Sequence, residues 1–126
     1  MAHVLIVDDE LTIRFLVRNV LESAGHQVSE APDGQAALDL IKIYPHLYQV
    51  IILDLLMPHM SGLEFLATIA KLTPYPPIII LTAHSVWIEK TLEYMVSGYL
   101  TKPFRTRDLI DMVNTQINIR RAASLF

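Results

Sequence analysis

The chain has 126 residues, 52% hydrophobic and 18% charged, with a formal net charge of −3 and no cysteine. That length and apolar content suit one globular domain with a substantial core, and the missing thiols exclude disulfides, thiolate metal sites and cysteine nucleophiles. No apolar run approaches the roughly 18 residues needed to span a bilayer, MAHVLIVDDE has no basic leader with a long apolar region behind it, and only Arg120 and Arg121 form a small basic pair. A soluble, cytoplasmic domain that does not by itself bind nucleic acid or membrane is therefore expected.

Val4 to Val7 is a continuous apolar run, as a strand covered on both faces of a parallel sheet requires. Ile13, Leu16, Val17, Val20 and Leu21 then recur at helical spacing, and Gly25 stands where that helix would end. Val28 to Glu30 supplies a short second strand. The second helix runs from Gly34 to about Ile43, with Asp33 placed to cap it and Pro45 to stop it. Val50 to Leu53 is the third strand. A third helix opens after MPHMSG, carries Leu63, Phe65, Leu66, Ile69 and Leu72, and is broken by TPYPP. Ile78 to Leu81 is the fourth strand, Val86 to Val96 a fourth helix, and Tyr99 to Thr101 a brief fifth strand. After Lys102-Pro103-Phe104, Leu109, Ile110, Val113, Ile117 and Ile119 mark a last amphipathic helix. Five alternations with right-handed crossovers predict a doubly wound α/β fold, a five-stranded parallel sheet with helices on both faces. No repeat, low-complexity tract or internal linker divides it.

In such a sheet the ligand crevice lies beyond the carboxyl ends of the strands, where the winding reverses. Reading each run to its end selects Asp8 and Asp9 after the first strand, Asp54 after the third, Thr82 after the fourth and Lys102 after the fifth. Two carboxylates about 4 Å apart repel by roughly 4 kcal/mol at a protein-surface dielectric, so the acids call for a cation. Without a thiol or a histidine cluster, a hard ion that keeps several waters, Mg²⁺, is the expected one. A lysine and a hydroxyl opposite it suit a many-oxygened anion such as phosphoryl. That leaves a carboxylate free to act as nucleophile.

VDDE, ILDLLMP, the Thr82-Ala83 pair after IIIL, and YLTKPF, in this order and at these separations, resemble the response-regulator receiver domain of two-component signalling over almost the whole chain. The resemblance implies the flavodoxin-like receiver fold over residues 1–119, with 120–126 a tail or the start of a linker. It makes Asp54 the phosphoacceptor. Mg²⁺ is held by Asp8, Asp9, Asp54 and the backbone carbonyl of Leu56. Thr82 binds a phosphoryl oxygen, Lys102 pairs with the phosphoryl group, and Tyr99 takes the aromatic switch position. The Lys102-Pro103 bond is expected to be cis. Implied partners are a sensor histidine kinase or phosphotransfer protein and a downstream output domain or protein, with dimerisation through the last two helices left open. Phosphorylation would exchange one negative charge for about two, draw Thr82 inward and open space for Tyr99. Leu56 and His84 flank the site, and an apolar Leu56 is expected to slow loss of the phosphoryl group by denying a hydrolytic water a polar foothold.

Blander readings stand beside these. A lone acid after a strand caps a helix, and Glu10 is read as a first-turn acid favoured by the helix dipole. His84 is read as exposed and not a ligand, Trp87 as packing or a partner anchor, and Tyr99 as core packing or switch. Nineteen residues separate Thr82 from Lys102, fewer than the family pattern carries, so a short or shifted fourth helix is expected. The rival functions are an Mg²⁺-dependent phosphohydrolase with an aspartyl nucleophile and a pseudo-receiver that binds partners without phosphorylation. Adjacent Asp8 and Asp9, with the nucleophile after the third strand, argue against the first; the filled site positions argue against the second.

Overall fold

Alternate residues of the apolar runs face opposite ways, and this decides the architecture of the computed structural model, which describes residues 2–72, 75–91, 94 and 96–124. The sheet contains β1 (His3–Val7), β2 (Gln27–Ala31), β3 (Val50–Leu53), β4 (Ile78–Thr82) and β5 (Gly98–Thr101). All are parallel, in the order β2-β1-β3-β4-β5. One face sends Val4, Ile6, Val50, Ile52, Ile79 and Leu81 against α1 (Leu11–Ser23) and α4 (Thr106–Ser124). The other sends Leu5, Val7, Ile51, Leu53, Ile78 and Ile80 against α2 (Gly34–Ile43) and α3 (Gly62–Ile69). Fully burying one such side chain stabilises by about 2 kcal/mol, so strands covered on both sides are the natural place for these residues.

Local signals set the helix ends. Gly25 takes φ +90°, a left-handed conformation that a β-carbon would oppose, and closes α1. Asp33 accepts from the Ala36 amide at 2.9 Å to start α2, and Ser61 accepts from the Glu64 amide at 3.2 Å to start α3. The α-helical part of α3 stops at Ile69, short of the expected Leu72. The final helix continues through residues 120–124.

Between β4 and β5 the expected helix over Val86 to Val96 is replaced by a 3-10 helix, Ser85–Thr91; Leu92, Glu93 and Met95 lie outside the described residues. Thr91 ends the described part of this helix, its hydroxyl donating to the Ile88 carbonyl at 2.7 Å. Seven residues of 3-10 helix span about 14 Å against about 10 Å for α-helix, which suits a segment short of residues. Trp87 packs against the α2/α3 face, with the Lys90 ammonium 5.1 Å from its ring centre. Packing, the plainer of the two readings for Trp87, is what the fold uses.

Candidate functional site at the switch point

The winding reverses between β1 and β3: the chain leaves β1 for β2 on one side and returns to place β3 on the other. The main-chain ladder runs one residue past β1, β3 and β5. The Asp8 amide donates to Ala31 at 3.1 Å, the Asp54 amide to Val7 at 2.9 Å and the Lys102 amide to Thr82 at 2.9 Å. Three of the residues selected from the sequence are therefore fixed by sheet hydrogen bonds, and their side chains meet above the reversal.

Lys102 Nζ lies 2.7 Å from Asp8 Oδ2, 3.3 Å from Glu10 Oε1 and 3.5 Å from Asp54 Oδ2. Asp8 and Asp54 are buried, whereas Asp9 and Glu10 are exposed at the mouth. One carboxylate oxygen from each of these four acids falls within 4.8 Å of the others. Asp8 Oδ1 accepts from the Glu10 amide at 2.9 Å, and Asp54 Oδ1 accepts from the Leu55 amide at 2.8 Å. Thr82 is fully buried at the end of β4, and its hydroxyl accepts from the His84 amide at 3.1 Å. Leu56, two residues past Asp54, is half-buried, while His84 is exposed. The Lys102-Pro103 bond is cis.

Burial raises the Asp8 carboxyl above the ordinary carboxylate range, although the hydrogen bond from Lys102 pulls the other way. Burial does the same to Asp54 against Lys102, the Leu55 amide and Thr82. On Lys102, burial works to lower the pKa, but Asp8, Asp54 and Glu10 outweigh it and hold the ammonium above its usual value. One ammonium pairs with three of the four acids. The donors are all hard oxygens, two of them buried at a cost that neighbouring positive charge relieves, so the residues fit a small divalent cation of the Mg²⁺ kind.

Three residues escaped the reading of the sequence. Glu10 is the N-cap residue of α1 and makes no side-chain cap bond; its carboxylate turns to Lys102 instead of serving the first turn. The run of three acids was the available signal. Gly62 brings α3 against the loop after β3: its amide donates to the Leu55 carbonyl at 2.9 Å, and a β-carbon there would lie 2.2 Å from the Asp54 carbonyl oxygen. Thr91 meets the Tyr99 hydroxyl at 3.0 Å. Because the single Thr91 proton goes to the Ile88 carbonyl, Tyr99 is the donor to Thr91. Tyr99 is half-buried on the α2/α3 face.

A five-stranded parallel sheet in this order with an acid-and-lysine mouth at its switch point defines a flavodoxin-like receiver fold. The chain belongs to the response regulator receiver domain family, whose sequence profile matches residues 4–114. It is 36% identical over 123 residues to the hybrid signal transduction histidine kinase I of Dictyostelium discoideum, covering 90% of this chain and 7% of that protein. It is 36% identical over 117 residues to the transcriptional regulatory protein YrkP of Bacillus subtilis, covering 91% of this chain and 49% of that protein. The chain thus spans half or less of the length of these curated relatives. A response regulator receiver domain protein from Clostridium thermocellum superposes with a TM-score of 0.87 at 32% identity, covering 98% of this chain and 99% of the other. The response regulator TrrA of Thermotoga maritima, in complex with Mg²⁺-BeF, gives 0.81 at 34% identity, covering 92% and 99%.

Proposed function

We propose that this receiver domain is a phosphorylation-dependent switch that takes a phosphoryl group from the phosphohistidine of a sensor kinase or phosphotransfer protein onto Asp54. The observation that carries this reading is the convergence of Asp8, Asp54 and Lys102 over the sheet's reversal, with Thr82 closing the pocket on the β4 side. Asp8, Asp9, Asp54 and the Leu56 backbone carbonyl would hold Mg²⁺, which when bound neutralises charge spread over the transferring oxygens. The complex of the related TrrA with Mg²⁺-BeF supports Mg²⁺ as the cation by family likeness.

In the transfer the donor's N–P bond breaks as an O–P bond to Asp54 forms, and the histidine imidazole leaves with the electron pair. The Asp54 amide, held by Val7, and the Leu55 amide on Oδ1 keep the carboxylate oriented for in-line attack. Lys102 sits beside Asp54 Oδ2, where it can stay paired with the phosphoryl oxygens as they arrive. Thr82 offers a hydroxyl to one of those oxygens. Its movement, coupled to Tyr99, would alter the face formed by the 3-10 helix, β5 and α4, which an output domain or partner reads in the cytoplasm. The chain acts on itself and does not turn over external substrates.

The test is intact-mass measurement after acetyl phosphate, with and without Mg²⁺. One phosphoryl group per chain is expected with the cation, far less without it, and none in Asp54→Asn. Steady release of phosphate from small phosphomonoesters would point to the phosphohydrolase instead. Absence of label in the parent chain would leave a binding module that works without phosphorylation.

A further inference from the structure

Asp8 is held at four points. Its amide donates to Ala31 on β2, Oδ1 accepts from the Glu10 amide, Oδ2 accepts from Lys102, and its main-chain carbonyl accepts from Arg14 Nη1 at 2.7 Å. The last bond comes from a side chain on α1 that also reaches β2. Arg14 Nε donates to Glu30 Oε1 at 3.1 Å, and the Arg14 side chain is only 14% exposed. Arg18 Nε lies 2.6 Å from the other Glu30 oxygen, so the two arginines share one carboxylate. A planar guanidinium engaged on two sides has little freedom to rotate.

The Asp8 carbonyl belongs to the peptide that leads into Asp9, where the chain leaves the ladder and turns into α1. On one side of Asp8, the amide fixes the preceding peptide directly to β2. On the other, Arg14 and Glu30 fix the following peptide to the same strand. The orientation of that second peptide sets where the Asp9 carboxylate lies relative to those of Asp8 and Asp54. Partners of this kind, one step behind the ligands, tune cation affinity by orienting the donors.

We propose that Arg14 is a positioning residue for the divalent-cation site: braced by Glu30, its guanidinium holds the Asp8-Asp9 peptide so that both carboxylates face Asp54. This rests on reading the acid cluster as a cation site. A lysine at this position would carry the charge but could not bridge the carbonyl and Glu30 with a rigid fork. Arg18 supplies the control, since it pairs with the same Glu30 from the same helix, and also with Glu22 at 3.0 Å, yet its bonds stay away from the acid loop.

The experiment is Mn²⁺ binding followed by electron paramagnetic resonance on the full chain, with thermal melting of each variant measured in the absence of cation. Arg14→Met is expected to weaken Mn²⁺ binding about ten-fold and Arg14→Lys to resemble it, while Arg18→Met stays within about two-fold of the parent despite losing two ion pairs. Parent-like affinity in Arg14→Met overturns the proposal, as does an equal loss in Arg18→Met, which would assign the effect to general helix packing. If Arg14→Met does not fold, Arg14→Lys carries the same comparison. A parent chain that neither binds Mn²⁺ nor accepts a phosphoryl group removes the site reading and this inference together. A parent that does both, with Arg14 variants that bind equally well, removes this inference alone.

Discussion

The β1-β3 centre of the sheet and its β5 edge are covered differently. β3 is buried throughout and β1 in all but its first residue, under full α-helices, and at their ends Asp8 and Asp54 are clamped by ladder bonds. β5 is half-buried with an exposed last residue, and among the described residues before it a 3-10 helix, Ser85–Thr91, meets Tyr99 through the Thr91 hydroxyl. The proposed transfer would need groups held to within a fraction of an ångström, and the first region holds Asp8 and Asp54 by sheet hydrogen bonds. A signal needs two arrangements close in energy, and a thinly covered edge is where a few hydrogen bonds can tip that balance. Lys102 belongs to both: its backbone continues β5, and its ammonium reaches the acids of β1 and β3.

The comparison breaks most completely at Gly62. In Gly62→Ala the new β-carbon would overlap the Asp54 carbonyl, so a loss of about 3 kcal/mol or more in urea unfolding is expected, along with loss of phosphoryl labelling. An ordinary stability would show that the loop after β3 yields and that the rigid region is not rigid. Lys102→Met comes next. It strands Asp8 and Asp54 without their ammonium and should cost the cation-free chain about 2 kcal/mol, less than a sealed pair would because Glu10 opens the mouth to water. Added Mg²⁺ should restore more stability to this variant than to the parent, measured as the shift in melting temperature.

Proton linkage sharpens the same contrast. Asp8 and Asp54 have folded pKa values raised above the unfolded ones by burial. Their contribution to stability is therefore fully present below the ordinary Asp pKa and is lost as pH rises through the raised folded values. Without divalent cation, the melting-temperature advantage of Asp54→Asn over the parent should grow from acid to neutral pH; a constant difference would contradict the assignment. At the edge, Thr91→Val removes the acceptor of Tyr99 and the donor to Ile88, for an expected cost of about 1 kcal/mol and a change in the Tyr99 ring signals by NMR. Unchanged ring signals would mean that packing alone holds Tyr99. The smallest effect is expected from Leu56→Asn, a phosphoryl lifetime shortened about three-fold, equivalent to less than 1 kcal/mol of barrier. An equal lifetime in variant and parent would dismiss the shielding role of Leu56.

Much of this was legible in the residues because the signals were local or periodic. Apolar runs of four in β1, β3 and β4 cannot be satisfied except between two layers, α2 has its cap at Asp33 and its stop at Pro45, and polar residues immediately after apolar strands must emerge at the carboxyl edge. That edge rule was enough to select Asp8, Asp9, Asp54, Thr82 and Lys102. The segment after β4 read as a fourth helix over Val86 to Val96, short or shifted, whereas the described residues form a 3-10 helix over Ser85–Thr91 that suits the distance to β5.

Order along the chain thus determined the strands, most of the helices and the identity of the acids and lysine, since spacing and residue type are properties of the chain itself. The tertiary structure decided which groups touch. Glu10 joined Lys102 instead of its own helix, Gly62 came against Asp54, and Arg14 crossed from α1 to brace the Asp8 carbonyl against Glu30. None of these is periodic, and each follows from where the sheet's reversal brings separate segments within hydrogen-bond reach.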